Sequence, residues 1–169
     1  MRVWTWSRCS RNMEPQNYTI RVMTDADYPQ VHKLWKQISG FAMRTLDDSE
    51  DFVRRFIRRN PTTSIVAEMD GEIVGTILAG HDGRQASFYH VCVRKDKRKM
   101  GIGTAMATAA MRALKEEHVN KITLVAFRKN VVGNQFWQHA GWKQREDVNV
   151  YEFALNEENI AIFNEETSQ

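Results

Sequence analysis

The sequence predicts an α/β domain of the α+β kind: a mixed, mostly antiparallel twisted sheet of about seven strands flanked by helices. Three observations carry this. Two β-rich runs, 64–69 and 72–79, are split by Asp70-Gly71, a dipeptide that signals a tight hairpin. Apolar residues recur at helical spacing in three other stretches. The chain has 169 residues, 42% hydrophobic and 10% aromatic, which suits one domain and is too aromatic for a solvated coil.

The elements follow in order. Residues 18–23 hold β-formers in partial alternation and read as a strand. Thr24, with Asp25 and Asp27 behind it, starts a helix. Its apolar face is Val31, Leu34, Trp35 and Ile38, and Gly40 ends it. A loop through Met43 and Arg44 leads to a second helix start at Asp47-Asp48-Ser49. Phe52, Val53, Phe56 and Ile57 form that helix's stripe, and Asn60-Pro61 stops it. After the hairpin comes a turn at 80–83 and a third strand of the meander at 87–93. Residues 94–100 are a short basic loop. A helix follows, marked by Ile102, Met106, Ala110 and Leu114. Then come a strand at 122–127, a short helix at 134–139, and a closing hairpin from 142–145 and 149–155. The unit from 87 to 127 reads as a parallel crossover.

Composition excludes several classes. Two cysteines, Cys9 and Cys92, do not make a disulfide scaffold or a cysteine-rich zinc module. No metal-binding pattern appears, and Cys92 reads as a core residue. His32, His118 and His139 read as surface residues. No apolar run reaches membrane-spanning length and no signal-peptide pattern is seen, so a cytoplasmic protein is expected, without a membrane partner. The formal charge is +3. Residues 1–12 carry Arg2, Arg8 and Arg11 without an acid; residues 156–169 carry four Glu without a base. Residues 1–17 therefore read as a flexible N-terminal extension, 18–155 as the functional domain, and 156–169 as an acidic C-terminal tail. The basic run at 94–99 is short and lacks interleaved aromatics, so no nucleic-acid partner is expected.

The most informative segment is Arg98-Lys99-Met100-Gly101-Ile102-Gly103-Thr104, between a strand and a helix. Glycines allow close backbone approach, and a helix start offers free N–H groups and the positive dipole end. This is a pyrophosphate cradle. It is not a Walker A loop, which needs Gly-Lys-Ser/Thr, nor a dinucleotide fingerprint, because Met106 occupies that pattern's last position.

Arg98-x-x-Gly101-x-Gly103 resembles the acyl-CoA loop of the GNAT family, the GCN5-related N-acetyltransferases. Asn130-x-x-Gly133-x-x-Phe136-Trp137 followed by Gly141-Trp142 resembles that family's second motif, at the usual separation. The chain looks like a bacterial single-domain member with the GNAT-like acyl-CoA N-acyltransferase fold. His81-Asp82-Gly83-Arg84 also resembles a loop of a bacterial subgroup.

The resemblance implies an acetyl-CoA-dependent N-acetyltransferase, without a metal, that passes acetyl directly to a primary amine of a small molecule or protein. Val91, Cys92 and Val93 would lend backbone groups to the pantetheine arm and the thioester carbonyl. Loop amides of Arg98, Lys99, Met100, Gly101, Ile102 and Gly103, with Thr104, would hold the pyrophosphate. Asn130 would contact the pantetheine, and Phe136 and Trp137 would lie at the cofactor. The family often has Tyr where this chain has Trp137, and indole is a donor that does not titrate usefully. Tyr89, His90 and Tyr151 are the candidates for acid and base; Tyr89 and His90, adjacent on a strand, are expected on opposite faces. Met43, Arg44 and Asp47 are expected to border the acceptor. The final strands of such proteins often support dimers, so a homodimer fits the resemblance. The other reading is a non-catalytic acyl-CoA-binding module on the same fold.

Overall fold

The computed structural model describes residues 17–164. The elements are β1 (Thr19–Val22), α1 (Tyr28–Gln37), β2 (Ala42–Arg44), α2 (Glu50–Arg59), β3 (Ile65–Met69), β4 (Glu72–His81), β5 (Ala86–Val93), α3 (Ile102–Glu116), β6 (Ile122–Leu124), α4 (Val131–His139) and β7 (Ala161–Phe163). Five strands form one sheet in the order β1-β3-β4-β5-β6, and β2 pairs with β7. Among the described residues, only β5 and β6 run parallel, as the crossover through α3 requires.

Local chemistry explains these elements. Asp70 and Gly71 have φ of +53° and +76°, the left-handed pair that a two-residue hairpin turn demands. Along β3, Ile65, Ala67 and Met69 face the α3 side, while Val66 faces α1 and α2, the two-residue period of a strand covered on both faces. Gly75 on β4 lets α3 approach: a Cβ there would lie 2.8 Å from Met106 Cε. Thr24 begins a 3-10 turn ahead of α1. Its N–H and hydroxyl both donate to Asp27 Oδ2, at 2.7 and 3.0 Å. Arg21 clamps the same carboxylate with two bonds of 2.8 Å and also reaches Glu68.

Seven strands form among the described residues, but the closing hairpin does not. Residues 142–160 contain no strand, although 149–155 have a β-rich composition. β6 is only three residues long, so it offers little edge for a further strand to pair with. The last strand instead lies at Ala161–Phe163, inside the segment expected to be a solvated tail, and pairs with β2. Asn164 anchors it by donating from Nδ2 to the carbonyls of Trp35 and Ile38, at 2.7 and 2.9 Å, at the end of α1, where the Trp35 carbonyl also accepts from the Ile38 N–H. The expected N-terminal extension lies almost wholly outside the described residues. No helix among the described residues is long and apolar enough to cross a membrane.

Candidate active site

The site is built around an irregularity in β5. Thr76 pairs with Cys92 and Leu78 with Tyr89, so Ile77 faces both His90 and Val91. This two-against-one count is a β-bulge. His90 carries it with φ of +49°, a left-handed conformation uncommon outside glycine. The bulge breaks the alternation of side chains. Tyr89 meets Phe56 of α2 edge-on, and His90 packs between Trp35 and Phe41, with ring centroids 4.5 and 4.7 Å away. The two neighbours therefore share the α1/α2 side rather than facing opposite ways.

His90 is held tightly. Its Nε2 lies 2.5 Å from Asp48 Oδ1, and a carboxylate can only accept, so Nε2 donates. Asp48 is 5% exposed. Its other carboxylate oxygen accepts from the Arg44 N–H at 2.6 Å, and its backbone carbonyl accepts from the Tyr28 hydroxyl at 2.9 Å. Behind the ring, Trp35 Nε1 donates to the Thr76 hydroxyl, which donates to the His90 carbonyl, both at 2.9 Å. The ring is fixed through Nε2 and the main chain through Thr76. Nδ1 has no protein partner among the described residues.

The loop after β5 has the form of an anion cradle. Gly101 caps α3 with φ of +79°, and no side chain caps that helix, so its first N–H groups are left open. A Cβ on Gly103 would come within 3.2 Å of Phe136 and 3.8 Å of Val93 Cγ2. Arg98, Lys99, Met100 and Thr104 are exposed here, while the Ile102 side chain is buried in the core. Arg94 is already committed to Glu72 and Asp96.

The other expected residues divide. Phe136 lies against the loop, but Trp137 is 9% exposed and packs among Phe88, Phe136 and Trp142. It is a core residue, because its position on α4 turns it toward the sheet. Asn130 Oδ1 accepts from the Gly133 N–H and so caps α4. Met43 is buried in the core beneath α1 and α2. Cys92 is buried too; burial pushes its thiol up to about 11, against the opposing pull of the Thr76 hydroxyl. Tyr151 is 88% exposed on the strandless segment, far from any buried surroundings.

Arg44 and Asp47 line a cleft of about 510 Å³ together with Leu46, Phe52, Glu152, Phe153, Leu155 and Asn159. Arg44 pairs with Glu152. Asn159 accepts from the N–H groups of Leu46 and Asp47 and donates to the Asp47 carboxylate at 2.7 Å. The Arg44–Asp48 turn thus faces the cleft with Asp47 and His90 with Asp48. Sequence reasoning missed Asp48, which is 42 residues from His90, and the cleft wall at 152–159.

Comparison with known proteins agrees with this architecture. Residues 23–142 match the acetyltransferase (GNAT) family. An acetyltransferase of Pectobacterium atrosepticum is 32% identical over 111 residues, covering 66% of this chain and 77% of the relative. One from Sodalis glossinidius is 28% identical over 129 residues, covering 76% and 89%. In fold, the chain is similar to the PaiA N-acetyltransferase of Thermoplasma acidophilum, solved in complex with coenzyme A. The TM-score is 0.66 at 16% identity, covering 78% of this chain and 92% of that one. The chain belongs to the GNAT family and is an acetyl-CoA-dependent acetyltransferase.

Proposed function

We propose that the protein acetylates a primary amine brought to Nδ1 of His90, with His90 as the base and Asp48 as its positioning residue. The observation that carries this reading is the His90–Asp48 pair at the bulge of β5. Bound acetyl-CoA supplies an acetyl group activated as a thioester. The residues present fit it: a Cβ would crowd Gly103, Gly101 needs its positive φ, and the first N–H groups of α3 are open to a pyrophosphate. Arg98, Lys99 and Thr104 add donors at that loop. Val91 and Val93, next to the bulge, border the pantetheine, with Phe136 at the loop and the free amide nitrogen of Asn130 within its own helix start.

An amine arrives as ammonium and must lose a proton before it can attack. Asp48 holds Nε2–H, so the neutral ring offers Nδ1 as the accepting atom. The proton moves from the amine to Nδ1, and the nitrogen lone pair is released toward the acetyl carbonyl. Trp137 is buried and Tyr151 stands apart in solvent, so neither is assigned to protonate the departing sulfur; Tyr89, half exposed beside Phe56, is also left without that role. A cytoplasmic location and a homodimer belong to the same proposal. The exposed apolar Val148, Val150 and Tyr151 would be covered by a second copy, which sedimentation tests.

The deciding experiment follows free thiol released from acetyl-CoA against a panel of amines, with wild type and His90→Ala. Release dependent on an amine and lost in the variant supports the reading. CoA binding by calorimetry with no release for any amine would favour a binding module instead.

A further inference from the structure

We infer that Thr76 is a positioning residue for the transfer: its hydroxyl holds His90 in the left-handed bulge that presents the ring to the acceptor. This rests on the reading of His90 as the base. A residue other than glycine keeps a positive φ only where its surroundings hold it there. His90, at +49°, needs such a hold, because β5 could pair with β4 in a regular ladder instead. A regular ladder puts neighbouring side chains on opposite faces. With Tyr89 against Phe56 on the α2 side, the imidazole would then turn to the α3 side and lose Asp48.

The hold is visible in the hydrogen bonds. Thr76 lies on β4, fully buried and paired with Cys92, beside the bulge. Its hydroxyl has one proton to give. The Trp35 indole can only donate, and it donates to Thr76 Oγ1 at 2.9 Å. The hydroxyl proton is thereby turned away from α1. The His90 carbonyl can only accept, and it takes that proton at 2.9 Å. Cys92 Sγ lies 3.4 Å from the same oxygen, but sulfur is the weaker acceptor. The hydroxyl therefore has one orientation, set by a donor on α1 and an acceptor on β5. Among the described residues, no other side chain bonds to the His90 carbonyl. Asp48 takes the other end of the residue, through Nε2. One anchor on the main chain and one on the ring, from different elements, leave Nδ1 a single direction.

Thr76→Val removes the hydroxyl with little change of shape, and Thr76→Ser keeps it while losing a methyl group. The assays are amine-dependent thiol release and NMR of the His90 Cα and ring nitrogens, both on the full chain. Thr76→Val is expected to lower turnover by about tenfold or more, the cost of a misplaced base, and to move the His90 Cα signal away from its left-handed position. Thr76→Ser should keep both close to wild type. In a His90→Ala background, Thr76→Val should cost no further turnover. Trp35→Phe leaves the hydroxyl but frees it to turn; it should shift the same signals, and it carries the test where Thr76→Val does not fold. Wild-type turnover or unmoved His90 signals in Thr76→Val overturn the inference. So does a Thr76→Ser variant as slow as Thr76→Val, or a further loss in the His90→Ala background. If His90→Ala itself keeps wild-type turnover, the base reading fails, and the His90 signals still decide whether Thr76 holds the bulge.

Discussion

Replacing Asp48 with Asn tests the proposed catalytic pair at its most sensitive point. Two donors face the carboxylate: His90 Nε2–H at 2.5 Å and the Arg44 N–H at 2.6 Å. An Asn side chain offers one oxygen and one NH2. The Arg44 amide cannot give up its hydrogen, so the Asn oxygen stays with it and the NH2 turns to His90. Nε2 must then accept, the ring takes its other tautomer, and Nδ1 carries the proton. The base is lost without removing the imidazole. General-base catalysis is worth about 10² to 10⁴ in rate, so kcat/KM should fall by that factor, roughly 2.7 to 5.5 kcal/mol in barrier. Stability should drop by about 1–3 kcal/mol, the cost of disturbing buried hydrogen bonds to a charged group. The assay is thiol release across pH for wild type and variant, with 15N shifts of the His90 ring reporting the tautomer. If kcat/KM stays within about threefold while the ring tautomer changes, His90 is not the base.

Other outcomes follow from the same structure. Gly103→Asp should abolish CoA binding in calorimetry, because its Cβ presses on Phe136 at 3.2 Å and its charge opposes a pyrophosphate; unchanged affinity would refute the cradle. Asp27→Asn should cost about 2–3 kcal/mol in chemical unfolding at neutral pH. Burial acts to raise the Asp27 carboxyl, but the bonds from Arg21 and Thr24 outweigh it and hold the group below its usual range. The unfolded chain therefore binds this proton more readily than the native one. The stabilisation is complete above the unfolded value, about pH 4, and is lost as pH falls through the lower folded value. The gap between wild type and variant should close on acidification, and a gap independent of pH would contradict this. Cys92, raised to about 11 and buried, should resist thiol reagents at pH 8 in a Cys9→Ser background until the protein is unfolded. Rapid native labelling would show that the strand opens.

Features written in short-range chemistry were legible in the sequence. Asp70-Gly71 and the apolar stripes each act within a few residues and appear where expected, and Gly101 stands at the start of α3. The proposed catalytic pair was half visible. His90 could be named from its residue type, but its partner could not. Asp48 reads locally as part of a helix start, and only the packing of the turn before α2 against β5 brings it to the ring. The bulge was invisible for a related reason: strand alternation assumes an unbroken ladder, and one extra residue opposite Ile77 moves His90 to the side occupied by Tyr89. A motif gives spacing along the chain, whereas the roll of α4 decides which side chain meets the core, and that side chain is Trp137. The strand at 149–155 failed because composition describes a strand's willingness to pair, not the presence of an edge to pair with.

The anchoring of the Arg44–Asp48 turn has a consequence for how the enzyme comes into being. The Thr45 N–H donates to the Ile160 carbonyl and the Ile160 N–H to the Thr45 hydroxyl, Asn159 holds Leu46 and Asp47, and Asn164 locks the end of α1. A chain emerging from the ribosome makes the Arg44–Asp48 turn early and the residues that anchor it, at 159–164, much later. The turn that carries Asp48 therefore gains these anchors only once β7 has paired with β2.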